Sequence, residues 1–276
     1  MKASVLALVV MYGVKPSQSP AIASLGRISK VGITLSTLVW DNSPEKLEDL
    51  LPEGDWGETS WVHTPENLGL SAIYNEVIAN WLKEGEHLLL LDQDTVLPEN
   101  FFETASEAII ANPSVNLFLP MVRAHERWVS PQYAAVGWGR SWKQPRVGLQ
   151  PSRHLGAINS GMIISSDYLR GLFGGYDRDL RFYGTDTFFM LEYRRQNSWV
   201  FVLDAVVLHD LSFYSTSTSG KISRFRAMRT ANIICYRRTA WPVRLAVLGL
   251  MACASLVYSF KYRSLGFLLP AEPDRG

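Results

Sequence analysis

The sequence predicts an α/β protein built on a mostly parallel sheet with helices on both faces. Three observations carry this expectation. The strand-like runs are continuously apolar rather than alternating, as strands buried on both faces require. Helical stretches separate these runs through the first part of the chain. Clusters of Asp and Asn stand where apolar runs end, and open α/β sheets bind their ligands outside those ends. At 276 residues the chain has room for one large domain or two small ones, at roughly 150 residues each. Its 47% hydrophobic and 19% charged content excludes a disordered or low-complexity class.

Taken in order, Val5–Met11 reads as a first strand that stops at Tyr12-Gly13 and Pro16. One Lys precedes it but no small-residue cleavage site follows, so a signal peptide is the poorer reading. Ile33–Trp40 is the second strand, and Asp41-Asn42-Ser43-Pro44 after it is either a helix cap and turn or a ligand edge, with a helix expected over Pro44–Leu51. Asn67-Leu68-Gly69-Leu70-Ser71 is a tight turn feeding a helix over Ser71–Lys83, which carries Asn75. A helix start beside glycine can hold an anionic group.

His87–Leu91 runs straight into Asp92-Gln93-Asp94. Two carboxylates at a sheet edge repel unless a cation or donors neutralise them, and Mg²⁺ shares such oxygens with phosphates. The plainer reading is a capped turn before Pro98. A helix over Pro98–Asn112 follows, with Pro in its first turn and acids early. Farther on, Asn159-Ser160-Gly161-Met162 leads a strand over Gly161–Ile164, and Gly174-Gly175-Tyr176-Asp177 forms a loop. Phe182 to Thr187 opens a helix through Gln196, where Asp186 is either a dipole-stabilised cap or a catalytic carboxylate. Trp199–Leu203, continued by Val206–Leu208, ends in His209-Asp210, a core histidine or a ligand. Aspartates and a histidine gathered at sheet and helix ends suit metal-assisted transfer from a diphosphate.

Charge divides the chain unevenly. Residues 1–210 carry 17 Lys or Arg and 24 acids, whereas residues 211–276 carry 10 and 2, and no acid lies between Leu211 and Ala271. Such a segment suits an anionic surface. The 16 uncharged residues Leu245–Phe260 favour a membrane over nucleic acid; as a helix they reach about 24 Å, short of a hydrocarbon core of roughly 30 Å, which suggests an interfacial or re-entrant segment. A buried core helix is the alternative. Ile222, Phe225, Met228 and Ala231 fall three apart among Arg224, Arg226 and Arg229, giving a helix with a partly apolar face among cations, as a membrane surface suits; a helix packed on the sheet with its arginines solvated is the alternative. With 2 Cys, at Cys235 and Cys253, there is no disulfide framework, consistent with a reducing compartment.

The order of these motifs resembles family 2 inverting glycosyltransferases of the GT-A fold, and within them the rhamnosyltransferase-like branch. The resemblance covers about residues 3–212, on Val5–Tyr12, Asp41-Asn42-Ser43, Glu66-Asn67-Leu68-Gly69-Leu70, Asn75, Leu89 to Thr95 around Asp92-Gln93-Asp94, Asn159 to Met162, Asp186-Thr187 and His209-Asp210-Leu211. It implies a glycosyltransferase domain over 1–212 and a membrane-associating helical extension over 213–276. It places Tyr12, Asp41, Asn42, Asn67, Gly69, Asn75 and Asp92 on the nucleotide-sugar side, Mg²⁺ or Mn²⁺ on Asp92, Asp94 and His209, and the general base at Asp186. Trp138, Gly161 and Thr185 fall to the acceptor side, where Trp138 and Trp142 either stack on sugars or simply pack. The implied reaction moves a sugar, L-rhamnose from dTDP-rhamnose by resemblance, to a glycan or lipid-linked acceptor at the inner face of the cell membrane, as in cell-surface polysaccharide synthesis.

Three departures stand out: Gly13 where Asn is usual, Thr185 where an acid often precedes the catalytic Asp, and Phe188 and Glu192 where many relatives carry an acid and an Arg. They motivate a second reading, a nucleotide-sugar binding protein without catalysis. A metal-dependent phosphoesterase fits less well, because two-metal sites need more acids and histidines than stand near Asp92 and the chain has 5 His in all.

Overall fold

Strand β1, Ala3–Met11, is buried on both faces, and this double burial organises the molecule. Val5, Ala7 and Val9 point to one layer, with Ile22 and Leu25 of α1 (Pro20–Arg27) and Phe101 and Phe102 of α3 (Phe101–Ala111). Leu6 and Leu8 point to the other, with Ile73, Tyr74 and Val77 of α2 (Leu70–Asn80) and Phe189 and Tyr193 of α5 (Thr185–Gln196). The computed structural model describes residues 2–47, 51–209 and 217–270.

The strands that follow are β2 (Ile33–Asp41), β3 (Glu58–His63), β4 (Glu86–Asp92), β5 (Thr95–Val96), β6 (Leu117–Ala124), β7 (Arg127–Ser130), β8 (Gln132–Ala135), β9 (Trp138–Ser141), β10 (Gly148–Pro151), β11 (Leu155–Gly156), β12 (Ile163–Ser165) and β13 (Trp199–His209). The main sheet runs β10-β13-β6-β12-β4-β1-β2-β3, with β5 added on β13 and β7 on β6; β11, β8 and β9 form a small second sheet. Pairs β1/β2, β1/β4, β2/β3 and β6/β13 are parallel, while β12 is antiparallel to both β4 and β6. The expectation of a mostly parallel α/β sheet is therefore borne out. Register sets Val10 beside Asp92 and Met11 beside Asp41. The carboxyl ends of β1, β2 and β4 thus share one edge, where the polar clusters emerge.

Several local expectations are corrected. Residues 43–45 form bends and 46–47 are irregular rather than helical, and residues 48–50 lie outside the described ones. The cause is Asp41: its carboxylate accepts the amide N–H groups of Ser43 (3.0 Å) and Leu47 (2.8 Å), wrapping the segment around itself. Helix α3 starts after Asn100 rather than at Pro98. Strand β6 carries Pro120 inside a central strand. There the pairing with β12 stops at Phe118, and the register to β13 jumps between Leu119–Val202 and Met121–Val206. A proline at such a bulge forfeits no ladder hydrogen bond.

Gly161 is buried just before β12, with φ +81, and an added Cβ would lie 2.7 Å from Pro120 Cγ. Its conformation serves the backbone turn against Pro120. Gly161→Ala is expected to cost about 1–2 kcal/mol from the left-handed conformation, plus the clash. Urea unfolding reads it as a lowered midpoint, and an unchanged midpoint would contradict this account of the turn.

Beyond β13, α6 (Thr218–Tyr236) and α7 (Trp241–Tyr262) pack on each other, closed by a short 3₁₀ turn over Leu265–Leu268. Two of the expected surface cations are used internally. Arg226 Nε donates to Gly266 O at 2.7 Å, and Arg229 donates to Ser255 Oγ (3.0 Å), Phe267 O (2.9 Å) and Leu269 O. Helix α7 is also longer than the uncharged stretch that announced it. Its 22 residues reach about 33 Å, because Arg244 and Lys261 belong to the helix instead of ending it. Helix α4 (Ser166–Gly171) sits on the α2 side of the sheet.

Candidate functional site

At the carboxyl end of β4, Asp92 and Asp94 flank Gln93, whose own side chain is turned away from them. It accepts Tyr12 N–H (2.7 Å) and donates to Tyr12 O (3.3 Å), while its carbonyl accepts Ser19 Oγ (2.7 Å). The middle residue anchors the turn to β1 and leaves its neighbours for the site. Ligand atoms of Asp92, Asp94 and His209 come within 4.8 Å of one another. His209, at the end of β13, sets Nδ1 3.3 Å from Asp94 Oδ1. Ser160 Oγ donates to Asp92 Oδ2 at 2.6 Å and lies 3.2 Å from His209 Nδ1. Ser160 thus stands between the Asp92 carboxylate and the His209 imidazole and ties the two together. Ser160 is a site residue that sequence reasoning quoted without a role, because its partners lie 68 and 49 positions away.

Two carboxylates and an imidazole form an oxygen-rich set suited to Mg²⁺ or Mn²⁺. Among the described residues the Asp92 carboxylate is held by the neutral Ser160 hydroxyl and no side-chain cation pairs with it, so the residues fit a divalent ion.

Asp186 stands in the first turn of α5, where Thr187 N–H donates to its Oδ1 at 2.6 Å. Burial, and the nearby Asp92 charge, hold its carboxyl above the usual range even though that hydrogen bond and others pull it down. Asp92, His209, Asp186 and Thr185 all line one cavity of about 490 Å³. Thr185 Oγ1 accepts Asn159 Nδ2 at 2.9 Å, while Asn159 Oδ1, buried in the same wall, has no partner. Gly184 (φ +81) lets α6 close on this wall: an added Cβ would sit 3.0 Å from Ala231 Cβ and 3.2 Å from Cys235 Sγ. Cys235 also lines the cavity, but burial pushes its thiol far up and it donates to Gly184 O, so it is no nucleophile.

The other expected donor residues hold the rim. Asn42 is buried; its Nδ2 donates to Leu68 O (2.8 Å) and its Oδ1 accepts Leu68 N–H (2.8 Å), fastening β2 to the Asn67 turn. Asn67 carries φ 48 and accepts Arg181 through its carbonyl at 3.1 Å. Gly69 caps α2 beside Arg181. Asn75 clasps Tyr176 through Nδ2 to O (2.9 Å) and N to Oδ1 (2.7 Å), fixing the Gly174-Gly175 loop. Asp41 is fully buried, so it acts by shaping residues 43–47 and not by offering its carboxylate outward. Tyr12 is 48% exposed beside the Asp92 turn.

On the far side of Asp186 lies a second cavity of about 180 Å³, walled by the β8–β9 hairpin and by α5 and α6. Trp138, 62% exposed, is on this wall, whereas Trp142 is buried at 7% and packs. Tyr236 Oη fastens the hairpin by accepting Gly137 N–H at 3.0 Å. Asp186 is common to both cavities. Asp210 and Leu211, which extend the His209 motif, lie outside the described residues.

With this geometry in place, comparison with solved structures gives the fold. No family model and no curated protein matches the sequence. Among solved structures the chain is similar to S. aureus TarS residues 1–349, at TM-score 0.51 and 12% identity over 90% of this chain and 69% of that one. It is similar to TarS 1–349 in complex with UDP-GlcNAc at 0.50 and 13%, over 95% and 73%. GalNAc-T7 with UDP, GalNAc and Mn²⁺ gives 0.58 and 12%, over 95% of this chain and 58% of that chain. The architecture is the GT-A fold of these glycosyltransferases.

Proposed function

We propose that the protein is a metal-assisted, inverting glycosyltransferase acting from a nucleotide-sugar donor. One observation carries this reading. Asp92 and His209, clustered with Asp94, line one cavity with Asp186, and Asp186 also lines a second. Asp92, Asp94 and His209 would hold the Mg²⁺ or Mn²⁺, which supplies neutralisation of the charge that gathers on a departing nucleoside diphosphate. Asp186 accepts the proton of the attacking hydroxyl, and its raised pKa brings it nearer the range of an effective base. Ser160 orients Asp92 and His209, and Asn159 holds Thr185 beside the base. One displacement from the face opposite the leaving group inverts the anomeric carbon.

The sequence resemblance favours dTDP-rhamnose, and the neighbours' complexes contain UDP-GlcNAc or UDP with GalNAc. Nucleoside diphosphate release is therefore to be measured across these and other nucleotide sugars with Mg²⁺ or Mn²⁺. Chelator-sensitive release from at least one is expected. Ligand binding without release from any would favour the non-catalytic reading.

We further propose that the chain works at the inner face of an anionic membrane, with α7 lying in the interface. Helix α7 is long and apolar enough to span a membrane, but Arg229 is bonded to Ser255 in its C-terminal half. A spanning α7 would carry Arg229 into the bilayer, at a cost of up to about 2.5–3.5 kcal/mol. Lying flat, it offers Leu245, Leu256 and Phe260 (58, 61 and 89% exposed) to acyl chains, with Arg244 and Lys261 at headgroup level. Each such cation contributes about 1 kcal/mol near anionic lipid. The full chain is expected to float with phosphatidylglycerol vesicles, less so in high salt, while a Leu245→Glu/Leu256→Glu/Phe260→Glu variant stays behind. Equal flotation of the variant, or none by the parent, would contradict the interfacial assignment.

A further inference from the structure

Arg194 lies on α5 two turns beyond Asp186, on the wall of the cavity of about 180 Å³ that Asp186 shares with Trp138, Asn232 and Tyr236. Its neighbour Arg195 is satisfied by Glu192 at 2.5 Å and by the carbonyl of Arg238. Arg194 is different. Among the described residues no carboxylate pairs with it and no acceptor takes its N–H groups, although it is partly buried. Burial, with Arg195 beside it, pulls its pKa down, against the opposing effect of Tyr236. A half-buried guanidinium without a counter-ion bears a desolvation cost that an incoming anion relieves. Its planar fork matches a phosphate in bidentate fashion.

The surroundings say what else that anion carries. The exposed Trp138 ring on the same wall is a stacking surface for a sugar face. Asn232, on α6, adds an amide. Eight residues separate Asp186 from Arg194, about 12 Å along the helix axis before the side chain reaches back toward the N-terminus. A sugar unit fits between a hydroxyl delivered to the base and a phosphate held by the guanidinium.

We infer that Arg194, with Trp138 and Asn232, forms an acceptor subsite for a sugar bearing a phosphate ester. The inference rests on the glycosyltransferase reading for its orientation toward Asp186, and it adds the acceptor's chemical class. A lipid-linked sugar diphosphate and a soluble sugar phosphate share this chemistry.

The test closes the donor site first. The full chain is saturated with UDP and Mn²⁺, then titrated calorimetrically with glucose 1-phosphate and with methyl glucoside. Saturable binding of the phosphate ester is expected, at least tenfold tighter than the neutral glycoside. Arg194→Gln should remove that advantage while leaving UDP affinity unchanged. Asn232→Asp, which sets a carboxylate in the same cavity, should weaken phosphate binding with Arg194 intact. Equal binding of ester and glycoside, or undiminished ester binding by Arg194→Gln, overturns the subsite. If UDP fails to bind in the presence of Mn²⁺ yet Arg194-dependent ester binding is present without it, the anion site stands and the glycosyltransferase reading falls. A polyprenyl diphosphate sugar in micelles identifies the source: tighter binding than glucose 1-phosphate marks a lipid-linked acceptor, and equal binding a soluble one.

Discussion

Asp186→Asn is expected to lower turnover by about 10²–10⁴-fold while leaving nucleotide-sugar affinity unchanged, the usual cost of losing a general base. The amide keeps the shape and the Thr187 N–H bond to Oδ1 but takes no proton at neutral pH. The same substitution has a second signature in stability. Burial, then the Asp92 charge, raise the folded-state pKa of Asp186. The group's contribution to stability is thus present below the pKa of the unfolded chain and lost as pH rises through the raised folded value. Near neutral pH the ionised carboxylate opposes folding, so in chelator Asp186→Asn should melt at higher temperature than the parent. That difference should vanish in acid, where both side chains are neutral. Parent turnover should fall on the acid side with a midpoint above the ordinary carboxylate range. A variant within about threefold of parental turnover, set against that magnitude, would remove Asp186 from the chemistry.

Asp94→Ala is expected to abolish metal-dependent binding of nucleoside diphosphate with the fold intact. The Asp94 side chain is 33% exposed at a turn and contributes little packing, while its carboxylate is one of three candidate ligands. Losing an outer partner of a metal ligand costs 10–100-fold in affinity, and losing a ligand should cost at least that. Ser160→Ala, which frees Asp92 and His209 from each other, should fall within that 10–100-fold span. Calorimetry with and without Mn²⁺ separates the cases. Unchanged Mn²⁺-dependent affinity in Asp94→Ala would return Asp92-Gln93-Asp94 to a simple turn.

Much of this architecture is legible in the sequence because burial on both faces leaves a mark. The cores of β1, β2 and β4 are uninterrupted apolar runs, and their ends carry the site. Strand β3 was not legible: an edge strand, it is only partly buried along Glu58–His63 and shows no such run. Strand β6 hides behind Pro120, which only the bulge opposite Val202–Val206 explains. The helix expected after Pro44 failed because a long-range fact, the complete burial of Asp41, commits its carboxylate to the local amides. In the site, Asp92, Asp94, His209 and Asp186 are found as motifs since each ends or opens an element. Arg194 is invisible in the same way that Ser160 is, as one arginine among many until α6 and the Trp138 hairpin close around it. Gly161 enters through the resemblance motif Asn159 to Met162, and its left-handed backbone against Pro120 is a feature that only the fold reveals.

The central claim is that Asp186 and the Asp92–Asp94–His209 cluster act on one anomeric carbon from opposite faces. Proton NMR of the anomeric signal of the first-formed product, recorded with Mg²⁺ and the preferred donor, tests it most directly. The account expects a product of the opposite anomeric configuration to the donor, forming only when the cation is present and not with Asp186→Asn. A product retaining the donor's configuration, or one formed equally in chelator, would contradict it.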